Sequence, residues 1–533
     1  MNNHESFPPL TRRTLLGLGA GLVLPGTGAA QAVSAPALPD ALLVEAYESA
    51  ARLNVLAAVN PRVFPGYWSV CADGRGFGYG NTYPSLDGHQ MTDALLWLGQ
   101  VETVKANWDY VRSFQRQDGC LPLAILPAQA GKDIGPKGYP GVVAPNGGLY
   151  THWVPGNPLA ALASPTYIQN ADVIFRHTLD HRWLASQIAS VNLAAEYLAS
   201  LTSDQGAVKG GGYYVERPPR LECDGVAQSH AVDAFRRVAA LNRLLGNRKT
   251  ANRYDNLAAR IRQHFVTRFW LKDHFAEYDH PERGLIASHG LTDSDWAALA
   301  LDVATREQQD ILWPRLKEEK RFYYGGMPTG IAANPDAYEA WEFNYSDRMD
   351  VAAMGRVWYV ESAARARRGD GEGLVEALRR VCRVGRDAGY YWRERYNAQG
   401  GYGAQKYCEY PANLIRIVER FLLGVDLGLD GTLALAPVVP AEYWDRGFGQ
   451  SLARRDRQLD YRMERERVTG TYAGAAPQRL SVRLPGAHRP RPAQLKVAHA
   501  TRRVPDTGLF ELTLPAAPRH SPCAFEILRS PEI

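Results

Sequence analysis

The chain has 533 residues, 45% of them hydrophobic and 22% charged, with a formal charge of +5. That length and apolar content allow a large core plus an accessory domain and exclude a disordered polymer. The small positive excess is not gathered into long basic runs, so nothing in it argues for nucleic acid as a partner.

The chain begins with an arginine pair, Arg12 and Arg13, a weakly apolar stretch over 15–24, and the small-residue sequence Ala30-Gln31-Ala32. This is the pattern of a twin-arginine signal peptide over 1–32. The apolar stretch is too short to span a bilayer once its glycines and Pro25 are counted. A periplasmic or secreted protein with no stable membrane insertion after signal removal is therefore expected. The six cysteines, Cys71, Cys120, Cys223, Cys382, Cys408 and Cys523, are scattered without C-x-x-C or zinc spacing. No cofactor is expected, and the sequence leaves calcium, disulfide pairing and oligomeric state open.

From residue 33 to about 430 apolar residues recur at helical spacing, near 41–58, 89–117, 168–201, 228–246, 250–268, 293–318, 348–367, 371–388 and 411–424. Long loops rich in Gly, Pro and aromatics separate them, and loops of that length in a compact domain are usually functional. Over 431–533 the texture changes to alternating runs such as Leu480 to Leu484 and Phe510 to Leu514, which read as half-buried antiparallel strands.

Four segments carry candidate chemistry. In TYPSLDGHQMTDALLWLGQ, Asp87 precedes a helix and Asp93 lies in its first two turns; Asp87 is either a cap or a functional acid. In ERPPRLECDG, Glu222 and Asp224 stand just before another helix. DAYEAWEFNYSDRMD gathers Trp341, Glu342 and Arg348. In QKYCEYPANLIRIVERFLLG, Glu409 sits just ahead of a helix that Pro411 opens and Gly424 stops. A carboxylate there either complements the helix dipole or does chemistry. Acids at the same ends of several helices would converge on one mouth, where Trp68, Trp341 and Trp392 would supply flat apolar rings. Sugars need both features, and glycosidic cleavage needs two carboxyl groups, one protonated and one ionised.

Beyond these residues, LDGHQMTDALLWLGQ with WDYVRSFQRQDGCLP, YDNLAARIRQHFVTRFW, DSDWAALALDVATREQ and EYPANLIRIVERFLLGVDLGLDGTLALAPVVP resemble the six-hairpin glycoside hydrolases. The likeness is strongest to the α-L-rhamnosidase-like group and weaker to trehalases and processing α-glucosidases. It implies a mainly α fold, an (α/α)6 toroid followed by a small C-terminal antiparallel β-sandwich. It also implies an oligosaccharide or glycoside substrate, and Glu409 as the general base. Where rhamnosidases carry an acid glutamate before the second helix, CADGRGFGYGNTYPSLDG has only aspartates. The mid-domain loop in which trehalases carry an acid aspartate corresponds to LECDG. The resemblance thus implies Asp224 as acid, with Glu222 and Asp87 behind it, and an inverting reaction. Two other readings compete. A polysaccharide lyase on the same toroid would use a proton abstractor such as His89, His230, His289 or Tyr410. A catalytically inactive carbohydrate-binding protein would bind without turnover.

Overall fold

The computed structural model describes residues 35–74, 85–122, 124–125, 148–149, 160–211, 220, 222–343, 348, 350–485 and 509–528. The expected signal peptide and the stretch RGFGYGNTYP lie outside them.

Six helices close a ring. Leu86–Trp97 packs on Ala160–Thr178, and the contacts continue to Gly225–Leu244, Asp293–Ala300, Gly355–Arg367 and Glu409–Ile417, which returns to Leu86–Trp97. Each has an outer neighbour. Val101–Arg112, His181–Ser200, Arg248–Arg268, Arg306–Glu318 and Gly371–Asp387 each follow an inner helix in the chain and pack against it. Ala41–Ser49 packs on Glu409–Ile417. The two sets differ in sequence as their places require. Every residue of Asp293–Ala300 and of Glu409–Ile417 is buried, as expected of helices enclosed on all sides. The outer helix Gly371–Asp387 instead buries one stripe, Leu374, Val375, Leu378, Val381 and Cys382.

Local signals set the helix ends. Asp224 caps Gly225–Leu244 by accepting from the Val226 N–H at 3.0 Å, and Thr292 with Asp295 forms a capping box on Asp293–Ala300. The stretch 168–201 divides at Leu179, whose φ of 48° breaks the run just before Asp180 caps His181–Ser200.

The strands of the two four-stranded sheets begin immediately after Gly424, whose φ is 65°. A Cβ there would lie 2.1 Å from the Ala436 carbonyl carbon, so the close turn requires glycine. One four-stranded sheet runs Leu509–Leu514, Gln478–Arg483, Leu433–Leu435, Val425–Leu427. The other runs Cys523–Leu528, Arg467–Ala473, Arg457–Glu464, Phe448–Arg454. Leu512 and Leu514 are buried while Glu511 and Thr513 are exposed, the alternation seen in the sequence; in Gln478–Arg483 the alternation is broken, because Ser481 is buried along with Leu480 and Val482. One expectation is corrected: Gln478–Arg483 pairs with Leu433–Leu435 in parallel, so the sheets are not wholly antiparallel. Sheet pairing starts at Val425. Residues 34–533 cluster as one compact unit. Helices and sheets are joined by Arg176 donating to the Leu427 carbonyl at 2.7 Å and by Gln450 donating to Glu419 at 3.0 Å.

Candidate functional site

Five of the six inner helices carry a charged residue at their start: Asp87, Asp224, Asp293, Arg356 and Glu409. Two arginines bind these ends into two groups. Backbone bonds from Asp293 N–H to Ile331 and from Ile331 N–H to Ala352 link one group to the other, because Ala352 leads into Gly355–Arg367.

The first group is centred on Arg356. Its backbone N–H donates to Glu409 Oε1 at 2.5 Å, while its Nε and Nη2 donate to Glu409 Oε2 at 2.9 and 2.5 Å. The same Nη2 reaches Asp87 Oδ1 at 3.4 Å. Tyr407 donates its hydroxyl to that oxygen at 2.9 Å. Gly355 permits the helices to approach so closely, since a Cβ there would stand 3.0 Å from Glu409 Cγ. Burial pushes the Asp87 carboxyl up to about 6, and Glu409 and Glu394 push the same way against the pull of Arg356 and Tyr407. Because Asp87 Oδ1 and Glu409 Oε2 both lie on Arg356 Nη2, the separation of these two oxygens cannot exceed the sum of 3.4 and 2.5 Å.

The second group is centred on Arg220, which is fully buried. It donates to Asp224 at 2.9 Å, Glu277 at 2.8 Å and Asp293 at 3.0 Å. Glu277 also bonds His289 Nδ1 and accepts from Tyr338 at 2.9 Å, and the Tyr338 ring stacks on His289 at 3.7 Å. His289 Nε2 meets Glu342 at 3.2 Å. Burial raises Asp293 to about 7, helped by Glu277 and Asp224 and opposed by Arg220. Burial would lower His289, but its bonds to Glu277 and Glu342 outweigh that and raise it.

The sequence candidates fall into distinct places. Asp87 and Glu409 come together, and both lie inside their helices' first turns rather than ahead of them. Asp224 is fully enclosed, engaged as a helix cap and on Arg220. Glu222 is half-buried beside it. Glu342 joins the Arg220 group through His289. Arg348 donates to the carbonyls of Pro335 and Tyr338, with a φ of 57°. Asp93 belongs to the ring interior, where Arg416 at 2.8 Å and Arg420 at 2.6 Å hold it well below the usual carboxylate range despite its burial.

Trp392 and Trp68 do not line an open site. Trp392 is wholly buried and donates to the Val381 carbonyl at 3.1 Å, and Trp68 is 3% exposed. Trp341 is half-buried, with Arg283 4.2 Å above its ring. His89 and His230 are buried and lowered to about 3, and burial raises Tyr410 well above the ordinary tyrosine value, so all three are poor proton abstractors at neutral pH.

Sequence reading missed Arg356, Tyr407, Arg220, Glu277 and Asp293. Asp293 had a signal, the capping pattern in LTDSDW. The two arginines had none, because what marks them is the convergence of carboxylates from distant segments.

No family model matches this sequence, and no curated protein matches it. Solved structures do. A GH78 family rhamnosidase of Bacillus sp. GL1 is 13% identical with a TM-score of 0.59, over 84% of this chain and 42% of that one. An α-L-rhamnosidase from Dictyoglumus thermophilum is 10% identical with a TM-score of 0.59, over 93% and 51%. A sialidase is 12% identical with a TM-score of 0.60, over 81% and 38%. The likeness is one of fold, and this chain spans between about four- and five-tenths of the length of those proteins.

Proposed function

We propose that the chain is a glycoside hydrolase built on an (α/α)6 toroid with a C-terminal β-sandwich, and that Asp87 and Glu409 are its two carboxyl groups. The closed ring of inner helices and the fold shared with solved rhamnosidases support the architecture. The observation that carries the chemistry is the meeting of Asp87 and Glu409 on Arg356 at adjacent inner-helix starts. Asp87 has the environment of the acid, because burial and its carboxylate neighbours lift it to about 6. Asp224 is engaged as a cap and on Arg220, and its side chain, like that of Glu409, is fully enclosed, whereas Asp87 keeps some exposure.

In this reading the O–H bond of neutral Asp87 breaks and its proton goes to the glycosidic oxygen, which keeps the electron pair of the departing C–O bond. Glu409 bonds the anomeric carbon. Water then displaces Glu409, giving its proton back to Asp87. The shared Arg356 nitrogen brings Asp87 Oδ1 and Glu409 Oε2 close together, an approach in keeping with the ~5–5.5 Å of a retaining pair rather than the ~6.5–9.5 Å of an inverting one. Inversion, expected with Asp224 as acid, is the second reading. It is favoured by one fact: the helix that Asp224 caps stands three places round the ring from that of Glu409, across the mouth.

The test is hydrolysis of a panel of aryl glycosides and oligosaccharides, α-L-rhamnosides first because two of the similar structures are named for that sugar. Asp87→Asn and Glu409→Gln should each lower kcat by at least ~10²-fold, and proton NMR of the first-formed product should show the retained anomer. An inverted anomer with activity lost in Asp224→Asn would move the acid across the ring. Binding without turnover would make the protein a sugar-binding module, and an ultraviolet-absorbing unsaturated product would make it a lyase.

A further inference from the structure

Asp87 has two carboxyl oxygens, and the protein treats them differently. Among the described residues, the two donors that reach this carboxyl, the Tyr407 hydroxyl at 2.9 Å and Arg356 Nη2 at 3.4 Å, converge on Oδ1. Among the described residues Oδ2 accepts no hydrogen bond. An oxygen that accepts from a guanidinium N–H and a phenolic O–H is the poorer seat for a proton, because a proton there would have to turn the hydroxyl into an acceptor and crowd the guanidinium. The arrangement therefore favours the proton of a neutral Asp87 on Oδ2.

Tyr407 is built to impose this choice. Its ring is 2% exposed. Its backbone is fixed on both sides, bridging Cys71 in antiparallel register and donating from its N–H to the Trp392 carbonyl at 3.0 Å. The neighbouring bonds, Cys408 N–H to Val70 at 2.8 Å and Ala72 N–H to Lys406 at 2.9 Å, continue that ladder up to the residue before Glu409. One short segment thus delivers a hydroxyl to Asp87 and, two residues later, the carboxylate of Glu409 to Arg356. The bridged segment ties Glu409 to Asp87 alongside the arginine they share.

We propose that Tyr407 is a positioning residue for Asp87, holding Oδ1 as an acceptor so that the proton passed to the leaving oxygen comes from Oδ2. The assignment rests on the hydrolase reading for its catalytic consequence, but the hydrogen bond itself has a consequence that needs no substrate. A donor to a carboxylate favours the ionised form, so Tyr407 pulls Asp87 downward against the burial that lifts it. Removing the hydroxyl removes that pull.

The experiment is a carbon-13 NMR titration of the full chain labelled at aspartate side-chain carboxyls, with the Asp87 signal assigned by its loss in Asp87→Asn. In Tyr407→Phe the Asp87 midpoint should rise by about one pH unit, a tenfold change in its protonation equilibrium. Where a substrate is found, the alkaline-limb midpoint of the kcat/KM profile should rise with it, and kcat should fall several-fold because the proton is no longer confined to one oxygen. Difluorotyrosine at position 407, a stronger donor of the same shape, should move the Asp87 midpoint downward, so the test survives if Tyr407→Phe does not fold. Midpoints unchanged in both variants, or moving together in one direction, would overturn the proposal. Opposite shifts in a chain that cleaves no glycoside would uphold the role of Tyr407 and discard the hydrolase reading.

Discussion

Replacing Asp93 by asparagine would leave Arg416 and Arg420 side by side in the ring interior with no anion between them. Both guanidiniums now bond its carboxylate, and Arg416 also lies 3.7 Å above the Tyr359 ring. Breaking a buried ion pair from one side costs about 3–5 kcal/mol, so Asp93→Asn should lower the urea midpoint by that equivalent, while a loss under 1 kcal/mol would contradict the account. The pH dependence has a definite sign. Asp93 is held below its unfolded value, so its contribution is full above about pH 4 and is lost as pH falls; the variant should lack that part of the acid destabilisation. Asp93 was legible in the sequence as an acid near a helix start, but not its duty. Arg416 and Arg420 lie more than three hundred residues on, and no local pattern ties them to it. Trp392 failed for a related reason. An aromatic residue beside acids in the sequence looks like a sugar platform, and only three-dimensional packing shows that Gly385 makes room for its ring in the core.

At the scale of elements, the end of the helix that starts at Glu409 is where ring and sheet meet. The helix changes to a π-helical segment over Val418–Leu422. Within it the buried Glu419 accepts from Tyr47 at 2.7 Å and from Gln450 at 3.0 Å, with no ion pair among the described residues. Burial pushes Glu419 up to about 7, against weaker opposing pulls from its two donors and Arg420. A folded value above the unfolded one gives stability that is complete below the unfolded value and lost as pH rises through about 7. Glu419→Gln keeps the hydrogen-bonding shape without the charge. Its melting temperature should therefore change less than that of the parent between about pH 5 and 8, and it should be the more stable protein at the alkaline end. Equal pH dependence in the two would remove Glu419 from this role. The helices themselves were readable, because a 3.6-residue period is a local signal that survives in inner and outer helices alike. The parallel pairing of Gln478–Arg483 with Leu433–Leu435 was not, since alternation tells which face of a strand is buried and nothing about its neighbour.

For the whole molecule, the ring's sequence of contacts was not written in any one segment, although the change from helix to strand texture near Gly424 was. The ring has a seam. Its last inner helix closes on its first, and the proposed site lies across that join: Tyr407 and Asp87 are 320 residues apart in the chain. Position in space thus becomes order in time. Contacts between distant segments must wait for the loop between them to close, and here that loop is most of the protein. A growing or refolding chain can pair Gly225–Leu244 with Arg248–Arg268 early, yet it has no Asp87–Arg356–Glu409 group until nearly everything else is in place. Recovery of the Asp87 carboxyl signal after dilution from denaturant should accordingly follow the slowest refolding phase, behind the return of helical circular dichroism. Simultaneous recovery would mean that the seam closes with the rest. If it closes last, the protein cannot acquire its chemistry before it is complete, and the site is a built-in check on its own assembly.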